Sequence, residues 1–263
     1  MKIELYEKTA LVTGSTGGIG FAIAQGLAAT GAEVIVNGRS QARVDEAVAK
    51  LKDLGYGRVS GVVADLSTAE GCKALIHGAP HADILINNMG IFEPKPFFDI
   101  DDNDWQRFFD VNVMSAIRLS RYYAPIMKEQ GWGRIQFLSS ESALHIPVEM
   151  VHYGVTKTAL LAVSRGLAET LSGTGVTVNA VLPGPTQSEG VTSFLEKMAK
   201  DQGTSVEEAG ANFVKEHRPT SLIERFASVE EVANLSVYLA SEQASATTGA
   251  AMRVDGGVVK AIP

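Results

Sequence analysis

At 263 residues, 45 % of them hydrophobic, the chain is long enough for one large α/β domain with a sizeable core. A net charge of −7 with no cluster of Lys and Arg argues against a nucleic-acid surface, which needs a basic footprint. No run approaches a membrane span, Glu4 and Glu7 interrupt the stretch where a signal peptide needs apolar residues, and Cys72 is the lone cysteine, so a soluble cytoplasmic protein without an internal disulfide is expected.

The run 9–12 (TALV) reads as a strand, followed by TGSTGGIGFAIAQGLAATGA, a glycine-rich turn and an amphipathic helix. Gly14, Gly18 and Gly20 give the spacing G-x-x-x-G-x-G, which lets backbone approach a pyrophosphate while the helix N-terminus offers unpaired N–H groups. Tight turns also need glycine for conformational reasons alone, so context decides. A second strand at 33–37 (EVIVN) completes the spacing of a βαβ nucleotide-binding unit. It ends in Asn37-Gly38-Arg39-Ser40. NAD-selective sites place an acid here to grip the adenosine ribose, whereas an arginine accommodates the 2′-phosphate of NADP. Arg39 stands there without an acid, which favours NADP(H) over NAD(H); otherwise Arg39 merely opens an exposed helix.

A helix over 41–54 leads to a third strand over 58–64. Asp65 then contacts an adenine amino group or caps the helix that follows Ser67 and Thr68. A fourth strand at 83–86 ends in Asn87-Asn88-Met89-Gly90, a turn suited to touching a cofactor or supporting the sheet. After a loop, a helix is predicted over 102–128. Asn112 lies inside it among Val111, Val113 and Ile117, which predicts a distortion or a polar task. A fifth strand at 134–138 delivers Ser139 and Ser140 to its carboxyl end, where open α/β sheets bind ligands.

A helix over 151–171 follows, with Ala159, Leu160, Val163, Leu167 and Leu171 as its buried stripe. Tyr153 and Lys157 are four residues apart on one face of it. A free tyrosine loses its proton near pH ~10, and an adjacent ammonium would lower that value. A serine hydroxyl can donate to a developing oxyanion. The plain alternative is an ordinary surface helix. His145, Glu149 and His152 gain no third His or Cys, so no metal site is expected, and the histidines line a substrate mouth or face solvent.

A sixth strand at 176–182 turns away at Pro183-Gly184-Pro185. Over 186–222 charge is dense and apolar residues (Val191, Phe194, Leu195, Met198) are sparse, which reads as one or two short helices forming a substrate lid, or as a passive insertion. A helix at 228–241 begins with Glu230 and Glu231 in its first turn, and a seventh strand at 247–254 leads into Asp255-Gly256-Gly257.

With these residues in hand the chain resembles the short-chain dehydrogenase/reductase family over essentially its whole length. The matching motifs are TGSTGGIG at 13–20, Asp65, NNMG at 87–90, Asn112, the Ser140, Tyr153 and Lys157 set, PGPTQS at 183–188 and DGG at 255–257. The resemblance implies a single Rossmann-type doubly wound α/β domain over 1–263, a seven-stranded parallel sheet with helices on both faces, and a helical lid at about 186–222. It implies reversible reduction of a ketone or aldehyde to an alcohol by hydride transfer. In that reading Tyr153 is the general acid/base, Ser140 orients the carbonyl, Lys157 binds the nicotinamide ribose and lowers the tyrosine pKa, and Asn112 holds a proton-relay water. Ser140 is preferred to Ser139 or Ser142 because it lies thirteen residues before the tyrosine.

The cofactor would lie along Gly14, Ser15, Thr16, Gly18, Ile19 and Gly20, with Asn37, Arg39 and Ser40 at the adenosine ribose and Val63, Ala64, Asp65 and Leu66 at adenine. Asn87, Asn88, Met89, Gly90, Pro183, Gly184, Thr186 and Ser188 would complete the site with Tyr153 and Lys157. Met89 departs from the alanine usual in the NNAG turn. A homodimer or homotetramer pairing the helices around Asn112 and Tyr153 is implied, with a small carbonyl or alcohol as substrate and neither nucleic acid nor membrane as partner. Two other readings are an NAD-dependent alcohol dehydrogenase and a catalytically idle nucleotide-sensing or scaffold protein on the same fold.

Overall fold

The computed structural model describes residues 2–262, apart from the side chains at 189, 190, 193, 194 and 202, so the position of Phe194 in the apolar pattern above lies outside the described residues. Seven apolar runs became the strands of one parallel sheet, in the order β3-β2-β1-β4-β5-β6-β9. These are β1 (Thr9–Val12), β2 (Glu33–Gly38), β3 (Val59–Val63), β4 (Ile84–Asn87), β5 (Gly133–Leu138), β6 (Val176–Pro183) and β9 (Ala251–Val254). β4, β5 and β6 are buried along their whole length, as strands covered on both faces must be. The order reverses between β1 and β4, which places a crevice at their carboxyl ends.

Two apolar clusters flank the sheet. One is built from α1 (Gly18–Ala29), α2 (Gln41–Asp53) and α9 (Val229–Leu239), with Ile23, Leu27, Leu51 and Val232 packed on Val12 and Val36. The other is built from α3 (Ala69–Gly78), α5 (Ser115–Gln130) and α6 (Val151–Thr170), with Leu75, Leu119, Tyr123 and Leu160 packed on Leu11, Leu85 and Phe137. Helices on both faces of a parallel sheet are the doubly wound arrangement expected from sequence. On α6 the stripe is fully buried at Leu160 and Leu171 and half-buried at Ala159, Val163 and Leu167.

The helix expected over 102–128 is broken. α4 (Asp102–Phe109) passes through one wide π turn, Asp110–Met114, before α5 begins. Asn112 sits in that turn and its amide reaches sideways to other segments, which is the distortion its presence among apolar neighbours predicted. The seventh strand begins at Ala251 rather than 247. Gly249 has φ +69, the Thr248 hydroxyl accepts from the Val178 N–H and the Thr247 carbonyl accepts from the Asn179 side chain, so side-chain bonds at 247 and 248 precede the first backbone bonds to β6, from the Gly249 N–H to the Val178 carbonyl and from the Ala180 N–H to the Ala250 carbonyl.

α3 is capped by Thr68, whose hydroxyl accepts from the Gly71 N–H; Asp65 instead accepts from the Ser67 N–H and is no helix cap. Between β6 and α9 the chain makes α7 (Glu189–Gln202) and α8 (Val206–His217), entered and left through β7 (Thr186–Gln187) and β8 (Ala227–Ser228), which pair in parallel as a separate two-stranded sheet. Two-residue strands have no periodicity to read in sequence. Among the described residues no helix is long and apolar enough to cross a membrane, and no group of three or more His, Cys, Asp or Glu side chains is placed to hold a metal.

Candidate active site

The glycine-rich turn and the NNMG turn are clamped together at the crevice. Asn88 donates from its amide to the carbonyls of Thr13 and Gly14, and the Thr13 hydroxyl accepts from the N–H groups of Asn88 and Met89. Gly14 has φ +59, and a Cβ on Gly20 would lie 2.4 Å from the Asn88 amide and 2.6 Å from the Gly14 carbonyl, so this approach requires glycine. Met89 is half-buried and packs its thioether chain against the cluster beneath β4, where an unbranched side chain fills irregular space.

Beside the turn lies a cavity of about 400 Å³ lined by Gly14, Thr16, Gly17, Gly18, Arg39, Ser40, Arg43 and Ser188. Two guanidinium groups, hydroxyls and the N-terminus of α1 make a donor set that suits a phosphate-bearing ligand. Arg43 was not anticipated; its place in the first turn of α2, directly after Arg39 and Ser40, was the signal that would have found it.

Ser15 and Asn37 are turned inward. The Ser15 hydroxyl donates to the Val12 carbonyl and accepts from the Asn37 N–H, while the Asn37 amide donates to the carbonyls of Val62 and Ala64. Both hold the turn in place. Asn87 is likewise buried and donates to Ser120. Ile19 is half-buried at the start of α1, and Ala64 and Leu66 are buried on either side of the exposed Asp65. Pro183 is buried at the end of β6, a Cβ on Gly184 would lie 2.6 Å from the Asp255 carbonyl, and Thr186 donates to the Gly184 carbonyl.

Ser140, Tyr153 and Lys157 converge at the carboxyl end of β5. Lys157 is buried and its Nζ donates to the Leu138 carbonyl at 2.8 Å, 5.6 Å from the centre of the Tyr153 ring. A Cβ on Gly90 would lie 3.3 Å from that Nζ, which keeps the NNMG turn close to the ammonium. Of the three serines, Ser139 donates to the Lys157 carbonyl and Ser142 to the Glu141 carboxylate. Ser140 accepts from the Ser142 N–H at 3.1 Å and stands beside the phenol. The Phe92 ring meets Tyr153 edge-on, with centroids 6.3 Å apart.

Burial pushes the Tyr153 phenol up to about 12, opposed by the Ser140 hydroxyl; Glu141 pushes it further up and Arg218 pulls it down. Burial also brings the Lys157 ammonium down to about 8. Desolvation is the largest cause for both groups, so the net direction of the tyrosine is upward rather than the lowering expected from Lys157 alone. Asn112 faces the same place: its Oδ1 accepts from the Ile91 N–H at 2.8 Å, and its Nδ2 donates to the Ile91 carbonyl and to Thr156, each at 3.0 Å.

A family model described as Enoyl-(Acyl carrier protein) reductase matches residues 14–259. An uncharacterized oxidoreductase of Bacillus subtilis, YvaG, is 49% identical over 263 residues, covering 100% of both chains. Dehydrogenase/reductase SDR family member 4 of Homo sapiens is 35% identical, covering 96% of this chain and 88% of its own. The chain belongs to the short-chain dehydrogenase/reductase family. Its fold superposes with a TM-score of 0.93 on L-sorbose reductase from Gluconobacter frateurii, solved with NADPH and L-sorbose, at 35% identity and 100% coverage of both chains.

In this short-chain dehydrogenase/reductase His152 neither lines a mouth nor faces solvent. It is 1 % exposed, with its ring centre 4.0 Å from that of Phe108 and 6.1 Å from that of Trp105, and its Nδ1 is buried without a partner. Burial lowers its pKa from the usual 6.5. The folded chain thus holds this proton less tightly than the unfolded one, and stability should decline as pH falls through about 6.5 toward the folded value. His152→Phe should flatten the dependence of Tm on pH between about 7 and 5; an unchanged slope would remove His152 from the account. His145 is exposed.

Proposed function

We propose that the protein is an NADP(H)-dependent oxidoreductase that reversibly reduces a ketone or aldehyde to an alcohol, with Tyr153 as general acid/base. The observation behind this reading is the convergence of the Tyr153 phenol, the Ser140 hydroxyl and the buried Lys157 ammonium beside the clamped glycine turn. When bound, the nicotinamide supplies or accepts the hydride. A phenol held well above neutral pH stays protonated there, so Tyr153 is the proton donor in the reducing direction. The Ser142 N–H occupies one lone pair on Ser140 and leaves the serine's own proton available to a carbonyl oxygen. Lys157 keeps donors beyond the one bonded to Leu138 for ribose hydroxyls. Asn112 has its amide committed to Ile91 and Thr156, so its contact with a relay water would come from its backbone.

Arg39, with Arg43 across the same cavity, is the group proposed to take the adenosine 2′-phosphate. The sorbose reductase it superposes on was solved with NADPH, which agrees with this preference. Arg39→Ala should weaken NADPH binding by about ten- to a hundredfold, the loss of a charge-assisted contact, and leave NADH within about twofold. Fluorescence titration reads both; equal affinity of the native chain for NADH and NADPH would favour the NAD-dependent reading instead. The direct test of the activity is a kinetic screen of ketoses, aldehydes, simple ketones and acyl thioesters with each reduced cofactor. Cofactor binding without turnover across that panel would favour the nucleotide-sensing reading. A dimer or tetramer through α5 and α6, where Val155 is exposed, is the proposed assembly, and light scattering on the eluting protein measures it.

A further inference from the structure

Glu141 lies between Ser140 and Ser142 and is only 3 % exposed. A carboxylate so placed needs a countercharge and hydrogen bonds. It has both. Its Oε1 accepts from Arg218 Nε at 2.9 Å, and its Oε2 accepts from the Ser142 hydroxyl at 2.5 Å. The Ser142 N–H in turn donates to Ser140 Oγ. Arg218 belongs to no neighbouring segment: it closes α8, 77 positions along the chain, and also reaches the Glu149 carboxylate at 3.4 Å. An unbroken path of polar contacts therefore runs from the end of the α7–α8 excursion to the serine hydroxyl beside the phenol.

We propose that Arg218 is a positioning residue for the reaction: through its ion pair with buried Glu141 it fixes the orientation of the Ser140 hydroxyl and sets the charge facing Tyr153. The proposal rests on the carbonyl-reductase reading for its kinetic part and on geometry alone for its structural part. Among the described residues, the charged groups placed at the phenol are Lys157 from its own helix, Glu141 from the turn after β5 and Arg218 from the end of α8, with Glu149 behind Arg218; the segment after β4 contributes the uncharged Phe92 ring. Glu141 and Arg218 act on the phenol in opposite directions. A guanidinium bound through Nε also fixes a direction that a point charge does not.

The test is the pH profile of alcohol oxidation at saturating NADP, measured on the full chain for Arg218→Gln, Glu141→Gln and the double variant. Oxidation needs the phenolate. Arg218→Gln should move the midpoint up by about half a pH unit or more, Glu141→Gln should move it down, and the double variant should return close to the native midpoint. Arg218→Lys, which keeps the charge, should restore the midpoint of Arg218→Gln. If Arg218→Gln fails to fold, Glu141→Gln, which leaves no buried charge unpaired at 141, decides by its downward shift. Midpoints that do not move, or that move together in one direction, overturn the proposal. Hydrogen exchange needs no substrate: amides of 140–145 should exchange about tenfold faster in Arg218→Gln with cofactor bound, and unchanged exchange there also overturns it. A native chain that turns over no carbonyl would sink the carbonyl-reductase reading and leave the exchange result to decide the positioning role.

Discussion

Tyr153→Phe should lower kcat for carbonyl reduction by about 10²- to 10⁴-fold, the range for removing a general acid/base, while NADPH affinity changes little. The substitution deletes one oxygen from a half-buried ring and leaves its edge-on contact with Phe92 intact, so the fold should survive. Stopped-flow measurement of NADPH oxidation gives the rate, and fluorescence titration gives the affinity. Turnover within a few-fold of the native chain would refute the assignment of the proton to this phenol. Parallel loss of binding and turnover would point instead to a collapsed cleft.

Asn112→Ala should cost about 3 kcal/mol of stability, because the Ile91 N–H and carbonyl and the buried Thr156 hydroxyl all lose a partner where Asn112 itself is fully buried. For a chain of this length that is a fall in Tm of roughly 6–12 °C, readable by calorimetry. Activity should fall as well, since the segment held by Asn112 begins one residue after Gly90, whose backbone is close to the Lys157 ammonium. Thr156 also donates to the Tyr153 carbonyl, so the lost amide was bracing the tyrosine's helix from below. A variant with native Tm would show that the π turn keeps its shape without the amide.

The central sheet was legible because its inner strands are short apolar runs buried on both faces; TALV at Thr9–Val12 needed no adjustment at either end. Gly14 and Gly20 were legible because only glycine tolerates the approach they make. Thr247 and Thr248 misled because threonine suits a strand, whereas here one bonds by its carbonyl and the other by its hydroxyl to β6. His152 misled because a histidine beside a tyrosine suggests an open site, and no local pattern announces that Trp105 and Phe108 will close over it. The Glu141–Arg218 pair was out of reach, since partners 77 positions apart leave no periodic trace. The bond from Lys157 to the Leu138 carbonyl was equally hidden, since it depends on where that carbonyl points.

The parallel pairing of Thr186–Gln187 with Ala227–Ser228 brings the departure and return of the chain to one spot on the rim. What lies between is consequently a cassette with a common doorway, tied back to the sheet near its end by the Leu222 and Ile223 N–H groups, which donate to the Gly256 carbonyl just after β9. The cassette also reaches the cavity beside the glycine-rich turn, where Ser188 is one of the lining residues. Any replacement grafted in its place must still hand a cation back to Glu141, or leave a charge stranded between Ser140 and Ser142.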